Sequence, residues 1–504
     1  MSNLQFKNVT YFTKQFIGKL QTTVNIRISA KKEIVDVISV GSESAIVSYE
    51  STNGSASFYG KTHIKFLYDD GMGKVSSNYN ADFTADIQSE LLTTESKLLF
   101  DVVTVDTKVD TNANTAMLAI LLEITVYGYI GQTVNCLVGG ENIFSCQQNF
   151  SLLQGVETSQ IPFVVDEELT ATHPIEGVLL AESGVCLSDY YFADGTLHIK
   201  GIATVRLTYT SDGEIHTDSL PFDFEREVDI APVASNNLQL LVAVRTTKVR
   251  LDITQEGNKV FLADITCNLQ LESTTVNGVE IVIDCYGSDC DFALEKQSVT
   301  TTLPLPTICG ERTFSTNLPK EGDKHLQTAV NVSAVVTKCS SCADSITVDG
   351  IVYATAIYSG EQSESEVLEI PFSQKLDAPG VGVDCAVWAN VVVTNFDLLD
   401  NDGLTANVTL CLRANCSRDV NYTVITSAEH IAFDKTQLPA LEIFLAHKGE
   451  TLWELAKNLH MSTQDILATN PQLTDPLSED ARIVVFNKIK SSEINFCKLS
   501  NKLT

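Results

Sequence analysis

A nine-residue phrase that opens on glycine and closes on tyrosine occurs three times in this chain, and it limits the fold more than any other feature. It reads Gly60-Lys-Thr-His-Ile-Lys-Phe-Leu-Tyr68, then Gly201-Ile-Ala-Thr-Val-Arg-Leu-Thr-Tyr209, then Gly350-Ile-Val-Tyr-Ala-Thr-Ala-Ile-Tyr358. Each copy runs into a turn signal, Asp70-Gly71, Asp212-Gly213 or Gly360, and then reaches Phe83, Pro221-Phe222 or Pro371-Phe372. Asp-Gly between apolar runs signals a two-residue hairpin, because that turn needs positive φ at both central residues. The copies recur at about 140 to 150 residues, a period of domain size; solenoid repeats are far shorter.

The stretches around the phrase alternate with period 2. Examples are residues 24–29, residues 34–40 and the run Thr405-Ala-Asn-Val-Thr-Leu-Cys-Leu-Arg413. Helical periodicity is almost missing before residue 440, so the expected class is mainly β: three repeated β-sandwich-like units followed by a small β-α-α-β module. The expected divisions are a leader over 1–20, units over 21–160, 161–312 and 313–430, a linker over 431–440, the module over 441–488 and a tail over 489–504. The repeated glycine reads as a bulge or a place of close approach, and the tyrosine as a ring packed beside the hairpin. The Pro-Phe pair reads as the start of an edge strand. Residues 160–166 and 303–306, both bearing proline, read as linkers or crossing strands.

With 504 residues and 44% hydrophobic content, the chain can fill several cores. Its formal charge of −30 disfavours nucleic acid and anionic membrane, which require clustered Lys and Arg. The first seven residues lack the charged-then-apolar pattern of a secretory signal, and the apolar run 116–122 is too short to span a bilayer. The expectation is a cytoplasmic protein without membrane insertion. Its thirteen cysteines then read as reduced thiols, and Cys339-Ser-Ser-Cys342, without a second pair, gives no zinc site. No metal or cofactor is expected, and no G-x-S-x-G, H-E-x-x-H, P-loop or dinucleotide motif points to an enzyme.

Residues 441–488 carry the clearest local signals. An apolar run, Ile443 to Ala446, leads to His447-Lys448-Gly449-Glu450-Thr451-Leu452-Trp453-Glu454. Gly449 permits a tight turn, and Thr451 and Glu454 stand at capping-box spacing. Leu452, Leu455, Ala456 and Leu459 form one helical face. Ser462 caps a second short helix through Ile466 and Leu467, which Asn470-Pro471 ends. Arg482-Ile-Val-Val-Phe486 closes the segment as a strand.

This segment resembles the LysM module. The resemblance implies a shallow groove for N-acetylglucosamine-type glycans between two loops, formed here by Gly449, Glu450, Thr451 and Leu452 with Asn470, Pro471, Gln472 and Leu473. Where most such modules have Pro-Gly before the last strand, this chain has Ser478-Glu479-Asp480-Ala481. The threefold phrase joined to this module is similar to the SPOCS-domain family of clostridial spore-coat morphogenetic proteins. The first copy lacks the proline before Phe83, and the third lacks the aspartate before Gly360. Membership would imply a non-catalytic scaffold of endospore coat assembly on the mother-cell side of the forespore surface, its LysM module docking on a coat-organising ATPase. The alternative that the LysM resemblance carries is binding of peptidoglycan or a related glycan.

Overall fold

In this computed structural model the described residues are 3–486, except 194, 231–235, 253–256, 289, 321–323, 360–363, 401–402, 433–438 and 440. The third turn glycine, Gly360, most of the expected linker and the whole tail lie outside them. Up to residue 432 the described chain forms antiparallel strands, and their pairing repeats three times.

The first round consists of β1 (Asn3–Ser29), the meander β2 (Asp36–Thr52), β3 (Ser55–Asp69) and β4 (Lys74–Gln88), then β5 (Lys97–Asn112) and β6 (Thr115–Glu141). The meander is one sheet, and β1-β6-β5 is a second. The second round repeats this with β7 (Ile143–Thr170), the meander β8 (Gly177–Ala193), β9 (Thr196–Ser211) and β10 (Glu214–Asp229), then β11 (Asn237–Leu251) and β12 (Val260–Gly287), which pair as β7-β12-β11. In the third round the opening strand is split into β13 (Cys290–Pro304) and β14 (Ile308–Leu318). The meander β15 (His325–Cys342), β16 (Ser345–Ser359) and β17 (Glu364–Asp377) follows, then β18 (Ala386–Asp400) and β19 (Leu404–Ala432). Both halves of the split strand pair with β19, so Leu303-Pro304-Leu305-Pro306 breaks a strand that β1 and β7 carry through. Proline cannot donate to a ladder, which accounts for the break.

Each meander packs over its own long-strand sheet. The three resulting cores hold, for example, Phe58, Phe66 and Ile120; Leu207, Phe261 and Leu269; and Val352, Ile370 and Leu410. The long strands reach beyond these cores as three two-stranded ribbons that bury a further shared core. There Leu137, Val282 and Ile425, one from each ribbon, are fully buried. Cys136, Ile281 and Val424 repeat the arrangement one residue earlier. Each such side chain contributes about 1.5–3 kcal/mol on burial, so the three rounds are held to one another as well as internally.

Several expectations need correcting. Residues 3–20 are no leader: they are the first two thirds of β1, whose ladder with β6 runs from Asn3↔Glu141 to Ser29↔Thr115. The rounds close at residues 141, 287 and 432, upstream of the first two expected divisions at 160 and 312. Residues 160–166 are no linker, since they lie inside β7 and pair with residues of β12 from Asp264 to Gln270. The phenylalanine opposite the repeated glycine in the second round is Phe224; Phe222 pairs with Ala203. The hairpin reading fares better at Asp212-Gly213, where φ of 52° and 78° makes the two-residue turn between β9 and β10.

Candidate docking site in the C-terminal segment

The last described segment runs β20 (Leu441–Ala446), α1 (Leu452–Asn458), α2 (Thr463–Thr469) and β21 (Ala481–Phe486), and β20 pairs antiparallel with β21. The local signals produce this order directly. Thr451 N donates to Glu454 Oε2 at 2.9 Å while Glu454 N donates to Thr451 Oγ1 at 3.2 Å, a reciprocal cap that also holds the Glu454 carboxyl below its ordinary range. Asp465 N donates to Ser462 Oγ at 3.0 Å, opening α2. Gly449 turns at φ 92°, in the region that favours glycine. Leu452, Leu455, Ala456 and Leu459 then meet Ile466, Leu477, Ile483 and Val485 in a small core.

The loop of Gly449 bonds to the later part of the loop after α2, at Asp475 and Leu477. Gly449 N donates to Leu477 O and Leu477 N to Glu450 O, both at 2.9 Å, and Leu452 N donates to Asp475 Oδ1 at 3.1 Å. Asn470 is buried. Its Nδ2 donates to Ile466 O and Val484 O, and its Oδ1 accepts from Val484 N, all at 2.9 Å. Thr451 is engaged in the cap, and Leu473 packs at the edge of the small core. Pro471 and Gln472 are exposed beside them, and Glu450 Oε2 accepts from His447 N at 3.1 Å. In the turn before β21, Asp480 Oδ1 accepts from Lys448 N at 2.9 Å, so this carboxylate braces the loop of Gly449.

Two features went unread in the sequence. The first is a mount on the second round. Trp453 Nε1 donates to Asp284 Oδ2 at 2.9 Å and Lys457 Nζ to Asp284 Oδ1 at 2.6 Å. The buried Tyr286 donates its hydroxyl to Met461 O at 2.9 Å, and its ring meets Trp453 edge to face at 5.1 Å. Burial pushes the Tyr286 hydroxyl far up, so it stays a donor. Phe144 packs against the same cluster. The second feature is the outer face of the two-stranded sheet. Leu441 stands opposite Phe486, Ile443 opposite Val484 and Leu445 opposite Arg482. The four large apolar side chains Leu441, Ile443, Leu445 and Phe486 are 52%, 67%, 55% and 56% exposed. The signal for this face was the unbroken apolar run Ile443-Phe444-Leu445, which leaves apolar groups on both sides of a strand that has a core on one side alone.

Among the described residues no group of three or more His, Cys, Asp or Glu side chains could hold a metal ion, and no helix is long and apolar enough to cross a membrane. Comparison of the chain with protein-family models, with curated proteins and with solved structures finds no match.

Proposed function

We propose that this chain is a non-catalytic scaffold of endospore coat assembly whose C-terminal LysM-like module docks on a coat morphogenetic protein. One observation carries the docking part: four large apolar side chains on the outer face of β20 and β21, each more than half exposed, on a segment fixed to the body through Asp284 and Tyr286. A contiguous exposed apolar patch on a rigid mount is a surface for another macromolecule. The spore-coat setting and the ATPase partner rest on the SPOCS and LysM resemblance. The groove residues speak for protein docking over glycan binding, because Thr451 and Asn470 are spent on the cap and on the core hydrogen bonds.

The test uses the full chain and the purified coat-organising ATPase. Ile443→Glu with Leu445→Glu is expected to abolish capture while Gln472→Ala leaves it unchanged, with circular dichroism verifying the fold of each variant. Titration with chitooligosaccharide is expected to give no heat. Heat that disappears in Gln472→Ala would establish the glycan reading instead, and capture that survives the double substitution would remove the sheet face from consideration. Asn470 is no probe for either reading, since its loss takes the acceptor from Val484 N and two donated hydrogen bonds from the core of the segment, a structural effect unrelated to either ligand.

A further inference from the structure

Two cysteines from different rounds meet at the seam between the second and third rounds. Cys186 on β8 is bonded to Cys411 on β19, with a Cα–Cα separation of 6.3 Å across 225 residues of chain. That separation lies in the range a disulfide needs. The same seam exists between the first and second rounds with different chemistry. Gly60 pairs with Ile46 and Gly201 with Leu187, so Ile46 and Leu187 are equivalent. Ile124, Leu269 and Leu412 each face the matching valine of β5, β11 and β18, so Asn268 and Cys411 occupy one position. In the first seam Asn268 Nδ2 donates to Ile46 O at 3.2 Å. In the second, Arg413 Nη1 donates to Leu187 O at 3.2 Å, and a sulfur stands where the first seam has the amide.

We propose that Cys186 and Cys411 are an exchangeable staple that fastens the second round to the third under oxidising conditions and leaves them joined by non-covalent contacts when reduced. The exchange balances with a low-molecular-weight disulfide. The two thiols lose two protons and gain one S–S bond, while the small disulfide breaks its own and leaves as two thiols. Reduction by a dithiol runs the reverse. Cys411 is buried and Cys186 half-buried, and the cavity beside the pair, of about 20 Å3 among Leu241, Val392 and Arg413, is too small for a thiol reagent to enter without movement of the seam. Exchange therefore follows opening of the seam, whereas the exposed Cys309 and Cys342 react without it.

The full chain, quenched with N-ethylmaleimide after incubation in oxidised or reduced glutathione, is digested without reductant and mapped by mass spectrometry. The oxidised sample is expected to give a linked peptide containing Cys186 and Cys411, and the reduced sample the two alkylated separately, more slowly than Cys309. Reduction is expected to lower the thermal midpoint by roughly 5 °C or more and to speed amide exchange in β8 and β19, while the β1–β6 ladder is unaffected. Cys186→Ala should lose that response to reductant. If the variant fails to fold, the wild-type comparison decides alone. Absence of the linked peptide after oxidation, or a linked peptide whose reduction leaves midpoint and exchange unchanged, overturns the proposal.

Discussion

The ring of Phe83 lies directly over Gly60 on the neighbouring strand, so close that a Cβ on the glycine would sit 2.1 Å from the ring tip. The arrangement recurs with Gly201 under Phe224 and Gly350 under Phe372. A strand glycine exposes backbone and weakens the ladder, and a cross-strand aromatic that covers it recovers the loss. The repeated phrase is thus a glycine-and-ring pair, with a buried tyrosine eight residues beyond the glycine; Tyr68 and Tyr209 join the first two cores, and Tyr358 packs in a smaller cluster with Leu404.

This pairing predicts a graded series. Gly60→Ala meets the Phe83 ring first, which can tilt, and should cost about 1–3 kcal/mol, the usual range for overpacking. Gly201→Ala and Gly350→Ala also meet the carbonyls of Cys186 and Val335, at 2.1 and 2.4 Å, and should cost more because a strand backbone cannot give way locally. Adding Phe83→Leu should restore part of the loss at Gly60 and not at wild-type glycine. Urea midpoints of the five variants check the order.

The mount of the C-terminal segment gives a second prediction. Asp284 accepts from both the Trp453 indole and the Lys457 ammonium, and hydrogen bonds to charged groups contribute about 1.5–3 kcal/mol. Asp284→Ala should release the segment without unfolding the body. In a Trp388→Phe background, where Trp453 is the remaining indole, emission should shift to longer wavelength. An unshifted spectrum would mean that the apolar contacts of Tyr286 and Phe144 hold the segment unaided.

What could be read from the sequence divides by distance along the chain. The meanders were legible because glycine, tyrosine and turn all fall within one hairpin, and so were the caps of α1 and α2, where donor and acceptor are three residues apart. The long-strand sheets were not. Asn3 pairs with Glu141, and the polar residues that alternate through residues 3–20 give no sign of a partner so far off. Phe222 and Phe224 both follow the same turn, and which of them stands opposite Gly201 is set by the register with the neighbouring strand. The expectation of reduced thiols fails at Cys186 and Cys411, which 225 residues separate in sequence. In the C-terminal segment the loop of Gly449 is tied to Asp475 and Leu477, beyond the residues 470–473 that the resemblance implies. The mount on Asp284 and the burial of Asn470 depend on tertiary packing that local spacing does not encode.

Buried acids of high pKa predict loss of stability in alkali. Burial pushes the Tyr209 hydroxyl from 10.0 up to about 12, with Asp218 adding to the effect, and burial raises the Cys267 thiol from 9.0 to about 12. Cys285, Cys339 and Cys416 rise from 9.0 to about 11 for the same reason. Each folded pKa exceeds its unfolded value, so the folded state binds more protons. The associated stability is complete below pH 9 for the thiols and below pH 10 for Tyr209, and is lost as pH climbs through the folded values. Between about pH 9 and pH 12 the urea midpoint should fall steadily. Tyr209→Phe should make that slope shallower between pH 10 and 12, where the thiols still contribute, and leave the part between 9 and 10.

Between the second and third rounds, Arg206 and Glu182 face each other across β8 and β9 and reach together onto β15. Arg206 Nη2 donates to Ala329 O at 2.8 Å, and its guanidinium lies 5.1 Å over the Phe396 ring. Glu182 Oε1 accepts from Val332 N at 3.0 Å. Burial raises the Glu182 carboxyl, opposed first by Arg206 and then by Lys65. Both side chains are nine-tenths buried, and Arg206 Nε and Nη1 have no hydrogen-bond partner, so desolvation here is only partly repaid. Removing Arg206 leaves the buried Glu182 charge with less compensation and is destabilising, whereas replacing both with apolar groups can be neutral. Arg206→Met should therefore destabilise strongly, and Arg206→Met with Glu182→Met much less. The penalty of the single variant should also depend on pH. Without Arg206 the folded pKa of Glu182 rises further above 4.5, so the stability attached to its neutral form is present below that value and lost as pH rises. Arg206→Met should lie nearer to wild type at pH 4 than at pH 7, and the double variant should show no such trend. Denaturant titrations of the three proteins at both pH values measure it; equal penalties at pH 4 and 7 would mean that Arg206 acts at this seam through its packing on Phe396 and not through its charge.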